Sequence, residues 1–382
     1  MKLKILVVDD EPDLEPLILQ RFRKQVRAGE MAFVFAQNGE EALRKIESDP
    51  EIEVVLSDIN MPVMDGLTLL ARLNEMPRLL KTVVVSAYND MLNLRVAMNR
   101  GAYDFVTKPI DFADLETTVR KTWRELETLR EARRTRQELS ELQAELAIAA
   151  RIQQSLLPEP IVARENLDIV AAMLPARHVS GDFYDFFQID ASRFGFVVGD
   201  VSGKGMPAAL FMAVSRTILR STALRGAPPN ESLAAVNRLL VPQGGGHMYV
   251  TLFYGILDLT SGRFEWSLGG HAPPLLLRAQ SGPSPLEGPR GLMVGMFDDA
   301  EYEMAEKILH PGDTILVYTD GVTEAANASG EMFGRKRLIS TFRDFHPNSA
   351  AGAVERVITN VGFFTGESPR ADDVTLLAVR YA

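Results

Sequence analysis

The chain has 382 residues, 46% hydrophobic and 24% charged. That composition excludes a disordered tail protein or a collagen-like fibre, and at ~150 residues per domain the length predicts two or three units. With no cysteine, disulfides, thiolate catalysis and cysteine-ligated zinc are all excluded, so any metal must be held by oxygen or imidazole. The net charge of −10 argues against a phosphate-backbone footprint, and no nucleic-acid partner is expected. There is no run of ~18 uncharged apolar residues, and the opening MKLKILVVDDE turns acidic at once. Neither a membrane span nor a signal peptide is predicted, and the expected location is the cytoplasm.

From Lys4 to about Thr107, short apolar runs (ILVV, FVFA, EVVLSD, TVVVSA, DFVT) alternate with stretches of helical apolar spacing such as Leu14, Leu17, Ile18 and Phe22. This is a βα repeat, and it predicts an α/β, doubly wound domain with a five-stranded parallel sheet over residues 1–110. Asp9 and Asp10 follow the first predicted strand, Asp58 ends the third, Ser86 the fourth and Lys108 the fifth. In a parallel sheet those ends converge in one crevice. Crowded carboxylates repel, and a hard cation, Mg²⁺ by its preference for oxygen, relieves them. Asp58 is the predicted aspartyl nucleophile, Lys108 a compact charge for its phosphoryl group, and the Ser86 hydroxyl a donor to it. The Lys108-Pro109 bond is a candidate for the cis isomer.

This segment, with VVDDE, SDINMPVMDG, SAY and TKP, resembles the CheY-like receiver domains of two-component response regulators. The resemblance implies that Asp10, Asp58 and the Asn60 carbonyl hold Mg²⁺, with Asp9 assisting through water. It implies that Asp58 is phosphorylated by a sensor histidine kinase, and that Phe105 and Ser86 reorient together when it is.

Residues 111–157 contain no glycine or proline and are closed by Pro158 and Pro160, which predicts one continuous linker helix. Leu115, Val119, Leu126 and Leu129 form one apolar stripe; Leu139, Leu142, Leu146, Ala149 and Leu156 form another. REARRTRQE lies between them and breaks heptad phase, so the expectation is a parallel coiled coil making a homodimer, loosened in its middle. A helix docked on its own domains is the alternative.

Over residues 158–382 the texture becomes antiparallel β (DFYDFFQID, RFGFVVGD, YVTLFYGILD, FEWSLGG, DTILVYTD, DVTLLAVRY). Helices are predicted at 207–224, 230–240, 331–345 and 350–363, and the fold expected is α+β, a β-sandwich flanked by helices. Gly244–Gly246 and Ser281–Gly291 read as mobile loops. Asp182 and Asp185, Asp200, Asp320, and Asp372 with Asp373 sit at strand ends or turns of four distant segments, with only Lys204 nearby to balance them. Such a set predicts two hard cations sharing a carboxylate, activating water for in-line attack on phosphorus without a side-chain nucleophile. The chain has no GxSxG elbow and no GxxxxGK[ST] loop.

SGDFYDFF, VVGDVSGKGMPAALFMA, LVYTDGVTEA and ADDVTLLAV, together with the preceding ARIQQSLLP, resemble the metal-dependent protein phosphatases (PPM), specifically the bacterial SpoIIE and RsbU group. The resemblance implies two Mn²⁺ or Mg²⁺ ions bridged by Asp200, with the Val201 carbonyl, Asp320, Asp372 and the additional carboxylate Asp182 completing the sites. The implied catalytic residues are Asp200, Asp320 and Asp372. Ser202 stands where eukaryotic relatives carry a histidine, which leaves the general acid open. No substrate-phosphate arginine is identifiable, and His271 in GGHAPPLLL reads as either catalytic or structural. The implied substrate is a phosphorylated, STAS-like anti-sigma-factor antagonist. The expectation is a receiver-controlled protein serine/threonine phosphatase; the alternative is an inert adaptor binding a sigma-factor regulator.

Overall fold

The computed structural model describes residues 3–87, 90–164, 166–278 and 281–382; Tyr88 of the SAY motif lies outside them. The chain divides into two compact units, Met1–Glu141 and Leu142–Ala382. The first runs β1 (Leu3–Val8), α1 (Leu14–Arg21), α2 (Arg23–Arg27), β2 (Met31–Ala36), α3 (Gly39–Ser48), β3 (Val54–Asp58), α4 (Gly66–Glu75), β4 (Lys81–Ala87), α5 (Met91–Asn99), β5 (Asp104–Lys108) and the start of α6 (Phe112–Leu156). Its sheet is parallel in the order β2-β1-β3-β4-β5. The apolar strands are covered on both faces, by one cluster holding Ile18, Phe22, Leu115 and Val119 and another holding Ala42, Ile46, Leu69 and Leu73. Order β1-β3 at the centre places the carboxyl ends of both strands side by side, where Asp9 and Asp58 emerge.

The linker helix forms within one residue of its predicted ends. Most of its first stripe is not open to a partner helix: Leu115 and Val119 pack into the receiver core and Leu126 is buried, while Leu129 stays 36% exposed; Arg130 is paired with Glu53. For Leu115 and Val119 the coiled-coil expectation is corrected, because the receiver sheet uses them to close its own core. Leu139 and Leu142 of the second stripe stay 53% and 52% exposed.

In the second unit, β6 (Ile161–Arg164), β7 (Leu167–Leu174), β8 (Phe183–Gln188), β9 (Arg193–Val201), α7 (Met206–Ala223), α8 (Pro229–Gly244), β10 (Val250–Asp258), β11 (Arg263–Gly269), β12 (Leu275–Arg278), β13 (Gly282–Pro285), β14 (Ala305–Ile308), β15 (Thr314–Tyr318), α9 (Asp320–Thr323), α10 (Gly334–Ser340), α11 (Ala350–Thr365) and β16 (Val374–Tyr381) follow. They form two sheets, β14-β11-β10-β9-β8 and β13-β12-β15-β16-β7-β6. Phe186, Phe196, Phe253, Phe264 and Trp266 of the first meet Ile169, Ile315, Leu377 and Val379 of the second in the inter-sheet core. Helices α7 and α8 cover the outer face of the first sheet, and α10 and α11 that of the second. The result is a helix–sheet–sheet–helix sandwich.

Three local expectations change. Part of the supposed loop 281–291 is strand β13, paired with β12. That partner strand, Leu275–Arg278, is not among the strands expected. The helix expected over 331–345 is only Gly334–Ser340, since Gly334 sits at φ 74 and Met332 bridges to Ala326.

Candidate functional site

In the receiver, the β1 and β3 ends bring one carboxylate oxygen each from Asp9, Asp10 and Asp58 within 4.8 Å of one another. Lys108 Nζ lies 2.7 Å from Asp58 Oδ2, 3.0 Å from Asp9 Oδ2 and 2.9 Å from Glu11 Oε1. Burial works to lower the Lys108 ammonium's pKa, but hydrogen bonds to Asp58, Glu11 and Asp9 outweigh it and hold the pKa raised. Burial also raises Asp9, with Asp58 adding repulsion. An oxygen-only trio converging at the strand ends fits a hard divalent cation. The Lys108-Pro109 peptide is cis. Asn60 N donates to Asp58 Oδ1 at 3.4 Å; Ser86 is buried and Phe105 39% exposed. Gly66 abuts Asp58 so closely that a Cβ there would lie 2.0 Å from the Asp58 carbonyl oxygen.

In the second unit, Asp200 sits within β9 opposite Thr251 of β10. Asp320 is the first residue of α9, and Asp372 and Asp373 immediately precede β16. Asp182 is 2% exposed and accepts from Thr319 Oγ1 at 2.7 Å. Burial, then the charge of Asp200, raises its pKa well above the carboxylate range. Asp200 is pushed up to about 7 by burial and by Asp320, against a hydrogen bond shared with Asp182. Asp320 is raised by partial burial of its carboxyl and by Glu324 and Asp372. These are carboxylates held together with too little positive charge, and the donor set again fits hard divalent cations. They are spaced more widely than the receiver trio, and Lys204 Nζ pairs with Asp372 Oδ2 at 2.8 Å. A Cβ at Gly321 would lie 1.9 Å from the Asp373 carbonyl oxygen, so α9 is seated against the backbone of the 372–373 segment.

Asp185 does not belong to this group. It is fully buried and paired with Arg216 (3.0 Å) and Arg220 (2.6 Å) of α7, an internal ion pair that ties helix to sheet.

Asp200 and Asp320 line a cleft of about 460 Å³ together with Thr251, His271, Arg290 and Arg335. The two arginines were not legible in the sequence as phosphate ligands. One lies on the loop after β13 and the other on α10, and only the folded sandwich brings them to the carboxylates. Among the described residues neither forms an ion pair with an acidic side chain, and Arg335 Nε is buried without a partner. His271 is buried, its Nδ1 2.9 Å from Thr251 Oγ1. Burial depresses its pKa to about 4, so at neutral pH it is uncharged and has no imidazolium proton to give a leaving group. Ser202 Oγ accepts from Tyr249 N at 3.1 Å, which ties it to the β9–β10 end.

Comparison with known proteins meets this geometry. Residues 190–382 match the model of the Stage II sporulation protein E (SpoIIE) family, and residues 5–120 that of the response regulator receiver domain. The chain is 30% identical over 240 residues to phosphoserine phosphatase RsbU of Bacillus subtilis, covering 63% of this chain and 71% of RsbU. It is 30% identical over 264 residues to protein IcfG of Synechocystis, covering 62% of this chain but 41% of IcfG, under two thirds of that relative's length. The SiaA-PP2C domain of Pseudomonas aeruginosa superposes with a TM-score of 0.57 at 21% identity, over 64% of this chain and 99% of that domain. The Bacillus subtilis SpoIIE phosphatase structure gives 0.51 at 19%, over 57% and 64%; at these identities the likeness is one of fold.

Fold and site together define a response regulator whose second unit is a PP2C-type serine/threonine protein phosphatase. The chain belongs to the SpoIIE family, with a receiver domain at its N-terminus. Dependence on a divalent metal comes with that fold. Among the described residues no helix is long and apolar enough to cross a membrane.

Proposed function

We propose that this protein hydrolyses phosphoserine or phosphothreonine on a partner protein, under the control of phosphorylation at Asp58. The proposed substrate is a phosphorylated, STAS-like anti-sigma-factor antagonist, the proposed phosphodonor a sensor histidine kinase, and the proposed location of the protein the cytoplasm. Residues 1–110 act as receiver, 111–157 as linker and 158–382 as phosphatase, with self-association through the exposed Leu139–Leu142 stripe. One observation carries the reading: Asp200, crowded by Asp182 and Asp320, faces a cleft that also holds Arg290 and Arg335.

Asp200, Asp320, Asp372, Asp182 and the Val201 carbonyl would hold two Mn²⁺ or Mg²⁺ ions, and in the receiver Asp9, Asp10, Asp58 and Asn60 would hold one Mg²⁺. Such cations supply Lewis-acid activation of water for in-line attack on phosphorus. The chain's own residues do the rest. Arg335 and Arg290 hold the phosphoryl oxygens by charge-assisted hydrogen bonds. Thr251 fixes the neutral His271 ring at the cleft wall, and Lys204 balances Asp372 before the site is loaded. In the receiver, the Asp58 carboxylate takes the phosphoryl group and Lys108 neutralises it.

The test is Mn²⁺-dependent hydrolysis of p-nitrophenyl phosphate and of a phosphorylated antagonist. Asp320→Asn is expected to reduce both to background. A metal-replete wild type that never turns over, yet binds the antagonist, establishes the adaptor instead. For the control step, acetyl phosphate or beryllofluoride is expected to change the wild-type rate and to leave Asp58→Ala unmoved; equal rates in all four conditions remove the coupling.

A further inference from the structure

The segment ARIQQSLLP at the end of α6 contains two adjacent glutamines with opposite environments. Gln154 is exposed, whereas Gln153 is 7% exposed. Burying a long amide sacrifices rotamer freedom and hydration, so it persists only where both of its ends are bonded. Both are. Gln153 Nε2 donates to the Ser180 carbonyl at 2.7 Å, and Ser180 N donates to Gln153 Oε1 at 2.9 Å.

Ser180, itself fully buried, passes this restraint on. Its hydroxyl donates to Asp373 Oδ2 at 2.8 Å and accepts from Asp182 N at 3.0 Å. Asp373 Oδ2 also accepts from Gly181 N at 2.9 Å, and its Oδ1 from Ala176 N at 2.7 Å. Asp182 in turn accepts from Thr319 Oγ1, beside Asp320, and Thr375 N donates to the same Thr319 hydroxyl at 3.0 Å. The last turn of the linker helix is thereby joined, through one serine, to the segments carrying Asp182, Asp320 and Asp372. A buried network of this kind holds one geometry, since each broken link leaves a polar group without water.

We infer that Gln153 is a positioning residue for the phosphatase centre: its paired bonds to the Ser180 backbone set the 180–182 turn, and through it the spacing of the carboxylates that bind metal. This rests on the metal-dependent reading above. Gln153 touches neither substrate nor metal. It acts as an outer partner of the ligands, a role whose loss typically weakens metal binding by about 10- to 100-fold.

Gln153→Met keeps the side-chain length and apolar stem while deleting both bonds. In the full chain carrying Asp58→Ala, which removes one receiver carboxylate, calorimetric Mn²⁺ titration at 25 °C is expected to show binding to the phosphatase unit weakened about tenfold or more. The Mn²⁺ concentration for half-maximal p-nitrophenyl phosphate hydrolysis is expected to rise in step. Gln154→Met, one residue along the same turn, is expected to match the parent in both. Unchanged Mn²⁺ binding in Gln153→Met overturns the inference, including where activity has fallen, because a role confined to stability lowers the unfolding temperature without moving a metal affinity read in the folded state. Should Gln153→Met fail to fold, Ser180→Ala carries the same reading: it cuts the hydroxyl links to Asp373 and Asp182 and must weaken Mn²⁺ binding, and parent-like binding overturns the inference. A parent enzyme that binds Mn²⁺ but never hydrolyses phosphoester sinks the function proposed above and leaves this test standing.

Discussion

His271 and Arg335 show how burial decides what a side chain can do in the cleft. With a folded-state pKa near 4 against an ordinary 6.5, His271 binds fewer protons in the native than in the unfolded chain between those values. Stability therefore falls as pH drops from 6.5 towards 4, and nothing is lost above 6.5. The full effect is roughly 3 kcal/mol at 1.36 kcal/mol per unit. Unfolding temperatures measured from pH 7.5 to 4.5 should fall less steeply for His271→Asn than for wild type; equal slopes would show that the ring is accessible to protons when folded. Arg335→Gln deletes a charged donor with no acidic partner, so it should raise KM for a phosphopeptide and weaken inhibition by inorganic phosphate roughly tenfold or more, with kcat for p-nitrophenyl phosphate much less affected. The sequence left His271 open between a catalytic and a structural role and gave no signature for Arg335. Asp58, Asp200 and Asp320 were legible because each closes or borders an apolar strand, whereas Arg290, Arg335 and Gln153 acquire their partners only through long-range packing.

At the scale of elements, α6 has two parts with different obligations. Leu126 is fully buried in the receiver, and Leu126→Ala should destabilise that unit by about 2–5 kcal/mol, seen as a lower denaturation midpoint. Leu139 and Leu142 are left about half exposed. Leu139→Glu with Leu142→Glu should leave thermal stability of the monomer within about 0.5 kcal/mol while abolishing any self-association measured by light scattering; an oligomer that survives the double substitution assigns the contact elsewhere. Apolar spacing alone could not separate the stripes, because a helix closing its own domain and a helix awaiting a partner use the same periodicity. Short elements were missed for a related reason. β13 is a four-residue strand of glycine, proline and serine, held by its neighbour's hydrogen bonds rather than by propensity.

Across the whole molecule, two acidic centres share one device on unrelated folds: in each, a glycine in the first turn of a helix is pressed against the backbone of a segment that carries carboxylates. The parallel sheet was predictable from its βα rhythm, and the sandwich from alternation in long strands, but the pairing of the two sheets follows from aromatic packing that no local pattern encodes. Gly66 and Gly321 touch the main chain at Asp58 and Asp373 with room for a hydrogen and nothing larger. Clearances of this sort belong to the peptide skeleton, so side-chain drift elsewhere cannot widen them. Each behaves as a fixed shim, and Gly66→Ala or Gly321→Ala should silence its own centre while the other keeps working. That would let phosphoryl uptake and phosphoester cleavage be switched off one at a time in an otherwise intact polypeptide.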